Sequence, residues 1–183
     1  ILLKPDGTVD RVFVPERLNA HKLIEEMMIQ ANVCAAETLE KKRQPLIYRV
    51  HDAPSLAKQE TLREFLATLG ISMAKGGQVR SNSFNGILAK AEGTPHQTMV
   101  NEMVLRSQSQ AVYSPENIGH FGLNLMKYAH FTSPIRRYAD LIVHRALVGS
   151  LGLGEGGITP DEESALDDIA AEISTFERRA MAA

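Results

Sequence analysis

The chain has 183 residues, of which 44% are hydrophobic and 23% are charged. This length and balance fit one globular domain with a buried core and exclude an intrinsically disordered chain. The net charge of −2 excludes a protein that coats nucleic acid through overall positive charge, so any contact with RNA has to be local.

The cysteine content and the hydropathy indicate a cellular compartment. The single cysteine, Cys34, cannot form an internal disulfide and is predicted to pack as a small hydrophobic residue on the apolar side of a helix. No apolar run reaches the roughly 20 residues that cross a bilayer, and the first residues do not resemble a signal peptide. We therefore expect a cytoplasmic protein with no membrane partner.

The chain opens with two predicted strands in residues 1–14, which are joined by a turn at Pro5-Asp6-Gly7. Residues 19–43 are then predicted to form a long helix. Its apolar stripe follows the spacing of a core-facing helix and consists of Leu23, Ile24, Met27, Met28, Ala31, Cys34 and Ala35.

Three polar residues lie along one border of that stripe: His21, Glu25 and Asn32. Polar side chains at the boundary of a core can face a ligand channel. The alternative is an ordinary amphipathic helix with a solvated edge. The residue types by themselves leave both interpretations open.

A short strand is predicted at 46–51 and brings polar residues to its end. Arg49, His51 and Asp52 lie there. Polar groups at a strand end can approach a cleft, but a structural hydrogen-bond cluster is the preferred interpretation, and no catalytic role is assigned to them.

Helical patterns dominate the remainder of the chain. Ser55 and Gly70 have the residue types of a helix N-cap and a helix end, which predicts a helix between them. The further predicted helices are 84–91, 95–112, 134–150 and a last one that begins at Pro160. Segments 72–83 and 150–159 are predicted to be flexible loops. Because strands are predicted in only two short segments, the expected fold is α+β and helix-rich.

The helix predicted at 134–150 begins with a sequence that suits an anion. Ser133 is a good N-cap, Pro134 fits the first helical position, and the unpaired backbone N–H groups at such a start can bind a phosphate. Arg136, one turn further on, adds a charged planar fork whose geometry suits a phosphodiester.

The same helix is predicted to bury a stripe made of Ile135, Tyr138, Ala139, Ile142, Ala146 and Gly149. Arg136, Asp140 and His144 form a separate row at a spacing of four residues. Asp140 is therefore predicted to pair with Arg136 and also to reach Arg137, three residues away. The alternative is an exposed salt bridge that contributes little to stability.

The histidines and aromatic residues are predicted to be structural. No other His, Cys or acidic group recurs near His120 and His130 at the spacing of a zinc site, so neither is expected to bind a metal. His120 is predicted to fix the turn after Gly119, and His144 to make a structural hydrogen bond. The aromatic candidates for base stacking are expected mostly to pack: Tyr48, Tyr113, Tyr128 and Phe131.

The most specific pattern in the sequence is HFGLNLMKYAHFTSPIRRYADLIVH at 120–144. It resembles, almost residue for residue, the signature of the ribonuclease II/R family of exoribonucleases. Further agreement lies in AHKLIEEMMIQANVCAA, YRVHDAPS, MVLRSQSQAVYSPENIGHFGL and ISTFERRA. The resemblance implies that residues 1–183 are the C-terminal portion of a single RNB-type catalytic domain.

This resemblance also implies an activity and its residues. The family degrades RNA processively from a single-stranded 3′ end and releases nucleoside 5′-monophosphates. Arg136 matches the arginine that contacts the scissile phosphate, and Glu25 matches the glutamate that reads a ribose 2′-hydroxyl. Thr132, Ser133 and Arg137 are the remaining candidates for RNA binding.

The residues that hold the two Mg²⁺ ions of the family are expected elsewhere. Those ligands are clustered aspartates, and this sequence contains no such cluster. The resemblance implies cold-shock-like domains and the first half of the catalytic domain upstream, and an S1 domain downstream. The chain alone is therefore predicted to be inactive. The alternative is a non-catalytic RNA-binding relative that lacks the metal-binding aspartates.

Overall fold

The computed structural model describes residues 1–13, 16–74 and 79–182. Helices prevail among these residues, and the strands form two small antiparallel sheets. The predicted α+β, helix-rich fold is confirmed.

The elements follow one another as short strands between longer helices. The strands are β1 (Leu2–Leu3), β2 (Val9–Arg11), β3 (Tyr48–Val50) and β4 (Val112–Ser114). The helices are α1 (Asn19–Lys41), α2 (Leu56–Thr68), α3 (Ser81–Ala91), α4 (Gln97–Ser107), α5 (Tyr138–Leu151), α6 (Pro160–Ser164) and α7 (Leu166–Ala182), and a 3₁₀ helix spans Phe121–Leu123. β1 pairs with β2, and β3 pairs with β4.

Three clusters of buried apolar side chains hold these elements together. One lies between α1, β3 and α5, and a second lies between α2, α3 and α4. The third joins α5 and α7 to the β3–β4 sheet. Full burial of an aliphatic or aromatic side chain contributes about 1.5–3 kcal/mol, so each cluster is a substantial source of stability.

The fourth strand was not predicted from the sequence. Residues 95–112 were expected to form one helix, but α4 ends at Ser107 and residues 112–114 pair with β3 in the register Arg49 opposite Tyr113. The partner strand lies more than sixty positions earlier in the chain, so local periodicity carries no signal of this pairing.

The apolar stripe of α1 is buried only in its second half. Ala35 is buried as predicted, but Leu23, Ile24 and Met27 are 59%, 55% and 61% exposed. Cys34 is exposed as well, so its predicted packing is wrong. In the described part of the chain, α5 packs against α1, and the buried residues of α1 all lie from Asn32 onward.

The helix predicted between Ser55 and Gly70 is confirmed as α2. The Oγ atom of Ser55 accepts a hydrogen bond from the Lys58 backbone N–H at 3.4 Å, which caps the first turn of α2. Of the predicted loop 72–83, residues 75–78 lie outside the described residues, and α3 already begins at Ser81. Of the predicted loop 150–159, the first two residues belong to α5 and the next eight have no regular secondary structure.

Candidate functional site

The residues from Ser133 to Arg137 form a turn that precedes α5. The backbone N–H groups of Arg136 and Arg137 both donate to the Ser133 carbonyl, at 3.3 and 3.2 Å. Helix α5 starts at Tyr138, after Arg137 in an extended conformation. The predicted helix start, with Ser133 as N-cap and Pro134 in the first turn, is therefore wrong by four residues.

The side chain of Asp140 in α5 binds both ends of this turn. Its carboxylate is fully buried and accepts the Ser133 N–H at 2.7 Å. It also receives both arms of the Arg137 guanidinium, Nε at 2.7 Å and Nη2 at 2.8 Å. The Ser133 N–H is therefore already paired within the chain and is unavailable to a ligand.

The predicted pairing of Asp140 is half right. The contact with Arg137 is confirmed, whereas the ion pairs of Asp140 do not include Arg136, because residue 136 lies outside the helix and the four-residue spacing no longer places the two side chains together. The alternative of an exposed salt bridge is also wrong. Although burial alone would lower the pKa of Arg137, the hydrogen bonds and the charge of Asp140 raise it above its ordinary value.

Asn32 of α1 holds the residues immediately before the turn. Its side chain is buried, and Oδ1 accepts the N–H groups of Phe131 at 2.9 Å and Thr132 at 3.2 Å. Its Nδ2 donates to the hydroxyl of Tyr128 at 2.9 Å. The sequence placed Asn32 at the border of the apolar stripe, but the contact with residues 131–132 had no signal in the spacing of α1.

His144 of α5 completes the attachment of Phe131. Its Nε2 donates to the Phe131 carbonyl at 2.9 Å, and its ring stacks on the Phe131 ring with centroids 4.3 Å apart. The predicted structural hydrogen bond of His144 is confirmed. Side chains of two helices therefore bind consecutive backbone groups ahead of Arg136.

The tip of the turn projects into solvent. Ile135 is 98% exposed, Tyr138 is 49% exposed, and Arg136 is exposed too. The predicted burial of Ile135, Tyr138 and Gly149 is wrong. Ile135 precedes α5 and Tyr138 is its first residue, whereas the buried residues of α5 begin at Ala139. The predictions for Ala139, Ile142 and Ala146 are confirmed.

The other predicted RNA-binding residues differ in accessibility. Thr132 Oγ1 is enclosed and has no hydrogen-bond partner within residues 1–13, 16–74 and 79–182. Ser133 is partly exposed. Glu25 is exposed on the first half of α1 and forms an ion pair with Arg17, which is equally open to solvent.

The polar residues at the end of β3 form a structural cluster, as preferred from the sequence. Arg49 makes two hydrogen bonds to Glu177 of α7, at 2.6 and 2.9 Å, and its guanidinium lies 4.5 Å from the centre of the Tyr113 ring. His51 donates from Nε2 to the Ser109 carbonyl and accepts the Gly122 N–H at Nδ1. Asp52 accepts the N–H of the next residue, Ala53.

The glycine of the His-Phe-Gly-Leu segment is required by this cluster. A Cβ atom at Gly122 would lie 2.7 Å from Nδ1 of His51, which is closer than real Cβ contacts. Part of the signature near residue 120 is therefore explained by packing.

Two further histidines lie in buried surroundings. Burial, followed by the charges of His51 and Arg49, lowers the pKa of His120 to about 4. Burial, followed by the charges of Arg137 and Arg49, lowers the pKa of His130 to about 3. Both rings are neutral at pH 7 and are weak bases there, which fits the structural role predicted for them. His120 Nδ1 accepts the Leu123 N–H and so caps the 3₁₀ helix.

The tyrosines follow the same pattern. Tyr48, Tyr113 and Tyr128 are buried, in agreement with the packing role preferred for them. Burial, then the hydrogen bond and the charge of Glu40, raise the pKa of Tyr48 above its ordinary value.

A sizeable cavity in the described part of the chain lies away from the turn. It has a volume of about 1050 Å³ and is bounded by α3, α4 and the 3₁₀ helix, with Asn82, Asn85, Asn101 and Phe121 among its lining residues. None of the five residues predicted to contact RNA lines it. The candidate site therefore lies outside this cavity. It consists of the exposed turn from Ser133 to Arg137 and the exposed part of α1 that carries Glu25.

The acidic and histidine side chains of the described residues do not gather into a metal site. No group of three or more His, Cys, Asp or Glu residues there could hold an ion. Within the same ranges, no helix is both long enough and apolar enough to cross a bilayer.

Comparison with known proteins decides the family. Residues 1–152 match the family model described as "RNB domain". The chain belongs to the RNB domain family. The resemblance seen in the sequence is thereby confirmed.

The relatives add detail to this assignment. Ribonuclease R of Escherichia coli K12 is 45% identical over 155 residues, which cover 85% of this chain and 19% of that protein. RNase R of Mycoplasma genitalium, solved in complex with ribose methylated single-stranded RNA, superposes with a TM-score of 0.86 and 29% identity, and the match covers 99% of this chain and 29% of that one. The chain thus spans less than a third of the length of these two relatives.

A second solved structure has the same fold in a more distant protein. Yeast Ssd1, which is described as a pseudonuclease, superposes with a TM-score of 0.70 at 24% identity, over 86% of this chain and 20% of that one. At this identity the likeness concerns the fold alone.

Proposed function

We propose that this chain is the C-terminal part of the catalytic domain of a 3′-to-5′ exoribonuclease, which hydrolyses RNA processively to nucleoside 5′-monophosphates. The proposal is supported by the RNB family match over residues 1–152 and by the 45% identity to a ribonuclease R. The observation that carries it is the exposed guanidinium of Arg136 on a turn whose flanking backbone is held by buried side chains.

Arg136 is the proposed catalytic residue. In the reaction, water adds to the terminal phosphodiester, the bond between phosphorus and the 3′ oxygen breaks, and the shortened RNA keeps a 3′-hydroxyl. Negative charge accumulates on the phosphate oxygens as this happens. A guanidinium that is already in place lowers the energy of that charge without reorganising, and one such donor contributes on the order of 10²–10³ in rate.

Glu25 is the proposed reader of the ribose. A carboxylate accepts a hydrogen bond from a 2′-hydroxyl, and DNA has no such donor. The ion pair of Glu25 with Arg17 is exposed at both ends, and pairs of this kind contribute at most about 1 kcal/mol. RNA can therefore displace Arg17 at little cost.

Three other residues contribute to RNA binding in this proposal, with weaker support. The Thr132 hydroxyl is enclosed, and the Arg137 fork is already held by Asp140. Ser133 is more accessible. The main contacts to RNA from this part of the site are accordingly assigned to Arg136.

Magnesium and the remaining domains belong to the proposal for the complete enzyme. The described residues do not fit a magnesium site, because their acidic groups do not cluster. In this proposal the ligands lie in sequence upstream of this chain, as the resemblance to the ribonuclease II/R family implies, together with the first half of the catalytic domain and cold-shock-like domains. An S1 domain downstream, a single-stranded RNA 3′ end as substrate and a cytoplasmic location complete the proposal.

The decisive experiment is an assay of the full-length protein on 5′-labelled single-stranded RNA with Mg²⁺. We expect nucleoside 5′-monophosphates and a short labelled end product without a ladder of intermediates, and much slower cleavage of DNA of the same sequence. The alternative, a non-catalytic RNA-binding relative, would bind the RNA and release no nucleotide.

A further inference from the structure

We propose that Asn32 is a positioning residue, which sets the place of Arg136 relative to Glu25 and so couples phosphate contact to ribose recognition. This inference rests on the proposed function of those two residues and adds a residue to it. The side chain of Asn32 is itself buried, so a direct contact with RNA is not assigned to it.

Asn32 attaches the backbone that precedes Arg136 to helix α1. Oδ1 of Asn32 accepts two consecutive N–H groups, those of Phe131 and Thr132. The next N–H, that of Ser133, is taken by Asp140 of α5. Removing the Asn32 acceptor would leave two partly buried N–H groups without their partner, and the segment would shift to satisfy them.

A second feature is the placement of Asn32 on α1. Glu25 and Asn32 are seven residues apart on one continuous helix, which puts them on the same face about 10 Å apart along its axis. A helix transmits position over this distance with little bending. The Asn32 contact therefore ties the segment that precedes Arg136 to the helix that carries Glu25.

A third feature is the choice of a carboxamide. Asn32 offers an acceptor to the backbone and, from Nδ2, a donor to the Tyr128 hydroxyl at 2.9 Å. Leucine has a similar shape but offers no acceptor. Aspartate keeps the acceptor, and the Tyr128 hydroxyl can rotate to donate to its second oxygen. The two substitutions therefore separate loss of the contact from a general disturbance of packing.

The test compares Asn32→Leu and Asn32→Asp in the full-length protein, with Gln30→Leu on the exposed side of α1 as the control. We expect Asn32→Leu to lower kcat about 10²-fold, since a displacement of about 1 Å costs that much. We also expect a smaller preference for RNA over DNA and a nearly unchanged Kd for RNA. Asn32→Asp should recover most of kcat, and Gln30→Leu should match the unaltered protein.

A double variant makes the test specific. If Asn32 acts through Arg136, Asn32→Leu should lower kcat little further once Arg136 is alanine. If Asn32 were merely structural, Asn32→Leu would lower the melting temperature and leave kcat per folded molecule unchanged. If it acted independently of Arg136, it would lower kcat by the same factor whether residue 136 is arginine or alanine. Either of these results would overturn the proposal.

Hydrogen exchange separates failure of this inference from failure of the proposed function. The proposed function fails if the unaltered protein releases no nucleotide. The positioning role is then judged from the Phe131 and Thr132 amides, which should exchange slowly in the unaltered protein and in Asn32→Asp but rapidly in Asn32→Leu. Equal protection in all three proteins would refute it.

Discussion

Arg136 and Arg137 are neighbours in the sequence, but the structure uses them in different ways. Arg137 is held by a fully buried carboxylate, whereas Arg136 projects from the turn into solvent. A guanidinium whose fork is already occupied has fewer donors for a phosphate. The division of roles between the two arginines follows from which of them Asp140 can reach.

Glu25 gives a prediction at the same scale. Replacing it by alanine removes the acceptor for the 2′-hydroxyl, and a hydrogen bond to a charged group contributes about 1.5–3 kcal/mol. The preference of the full-length protein for RNA over DNA should narrow by about tenfold or more, measured as the ratio of kcat/KM on matched strands.

The neighbouring Glu26→Ala is the matched control, since Glu26 is also exposed on α1. An unchanged ratio in the Glu25 variant, or an equal change in both variants, would return Glu25 to the solvated edge of the helix.

Predictions for single residues were possible where a long motif supported them, and the roles of Arg136 and Glu25 stay predictions. The resemblance of residues 120–144 to the family signature points to Arg136, and the Glu25-Glu26 pair lies within a second segment that resembles the family. The sequence did not reveal the contacts of Asn32 or the enclosure of the Thr132 hydroxyl. The Asn32 contact joins positions about a hundred residues apart, and the enclosure of the Thr132 hydroxyl depends on the packing around it.

At the scale of elements, the start of α5 shows how tertiary contacts override local preference. Serine followed by proline is a good local signal for a helix start. Here the Ser133 N–H is taken by Asp140, seven residues later, and the intervening residues form a turn. The helix was predictable from its periodicity, but its first residue was not.

Asp140 gives the prediction at this scale. Asp140→Ala would leave the partly buried Arg137 cation and the Ser133 N–H without their acceptor, so the free energy of unfolding should fall by about 3 kcal/mol. Urea unfolding of the chain measures this change.

The control is Glu102→Ala, which breaks the exposed ion pair with Arg106 on α4 and should cost at most about 0.5 kcal/mol. Similar losses in the two variants would mean that the buried carboxylate does not hold the turn.

At the scale of the whole molecule, the family and the fold class could be predicted, whereas the distribution of burial could not. The helical periodicity of α1 is continuous, yet Leu23 and Met27 are exposed and Ala35 and Leu39 are buried. Periodicity shows which face of a helix is apolar. It does not show along which part of its length another element covers that face.

The lack of a metal-binding cluster among the described residues gives a prediction for the molecule as a whole. The 183-residue chain should release no nucleotide from RNA in the presence of Mg²⁺, because its described residues lack a cluster of metal ligands. The full-length protein at the same molar concentration is the positive control. Release of mononucleotides by a clean preparation of the chain would show that the catalytic carboxylates have been misplaced.

The central claim is that Arg136 stabilises the charge that develops on the scissile phosphate. Its most direct test is Arg136→Ala in the full-length protein, with kcat and the Kd for RNA measured side by side. Arg106→Ala, which removes an exposed arginine of α4, serves as the control. We expect Arg136→Ala to lower kcat on the order of 10²–10³-fold while the Kd for RNA changes much less. Parallel losses in kcat and affinity, or an unchanged kcat, would contradict it.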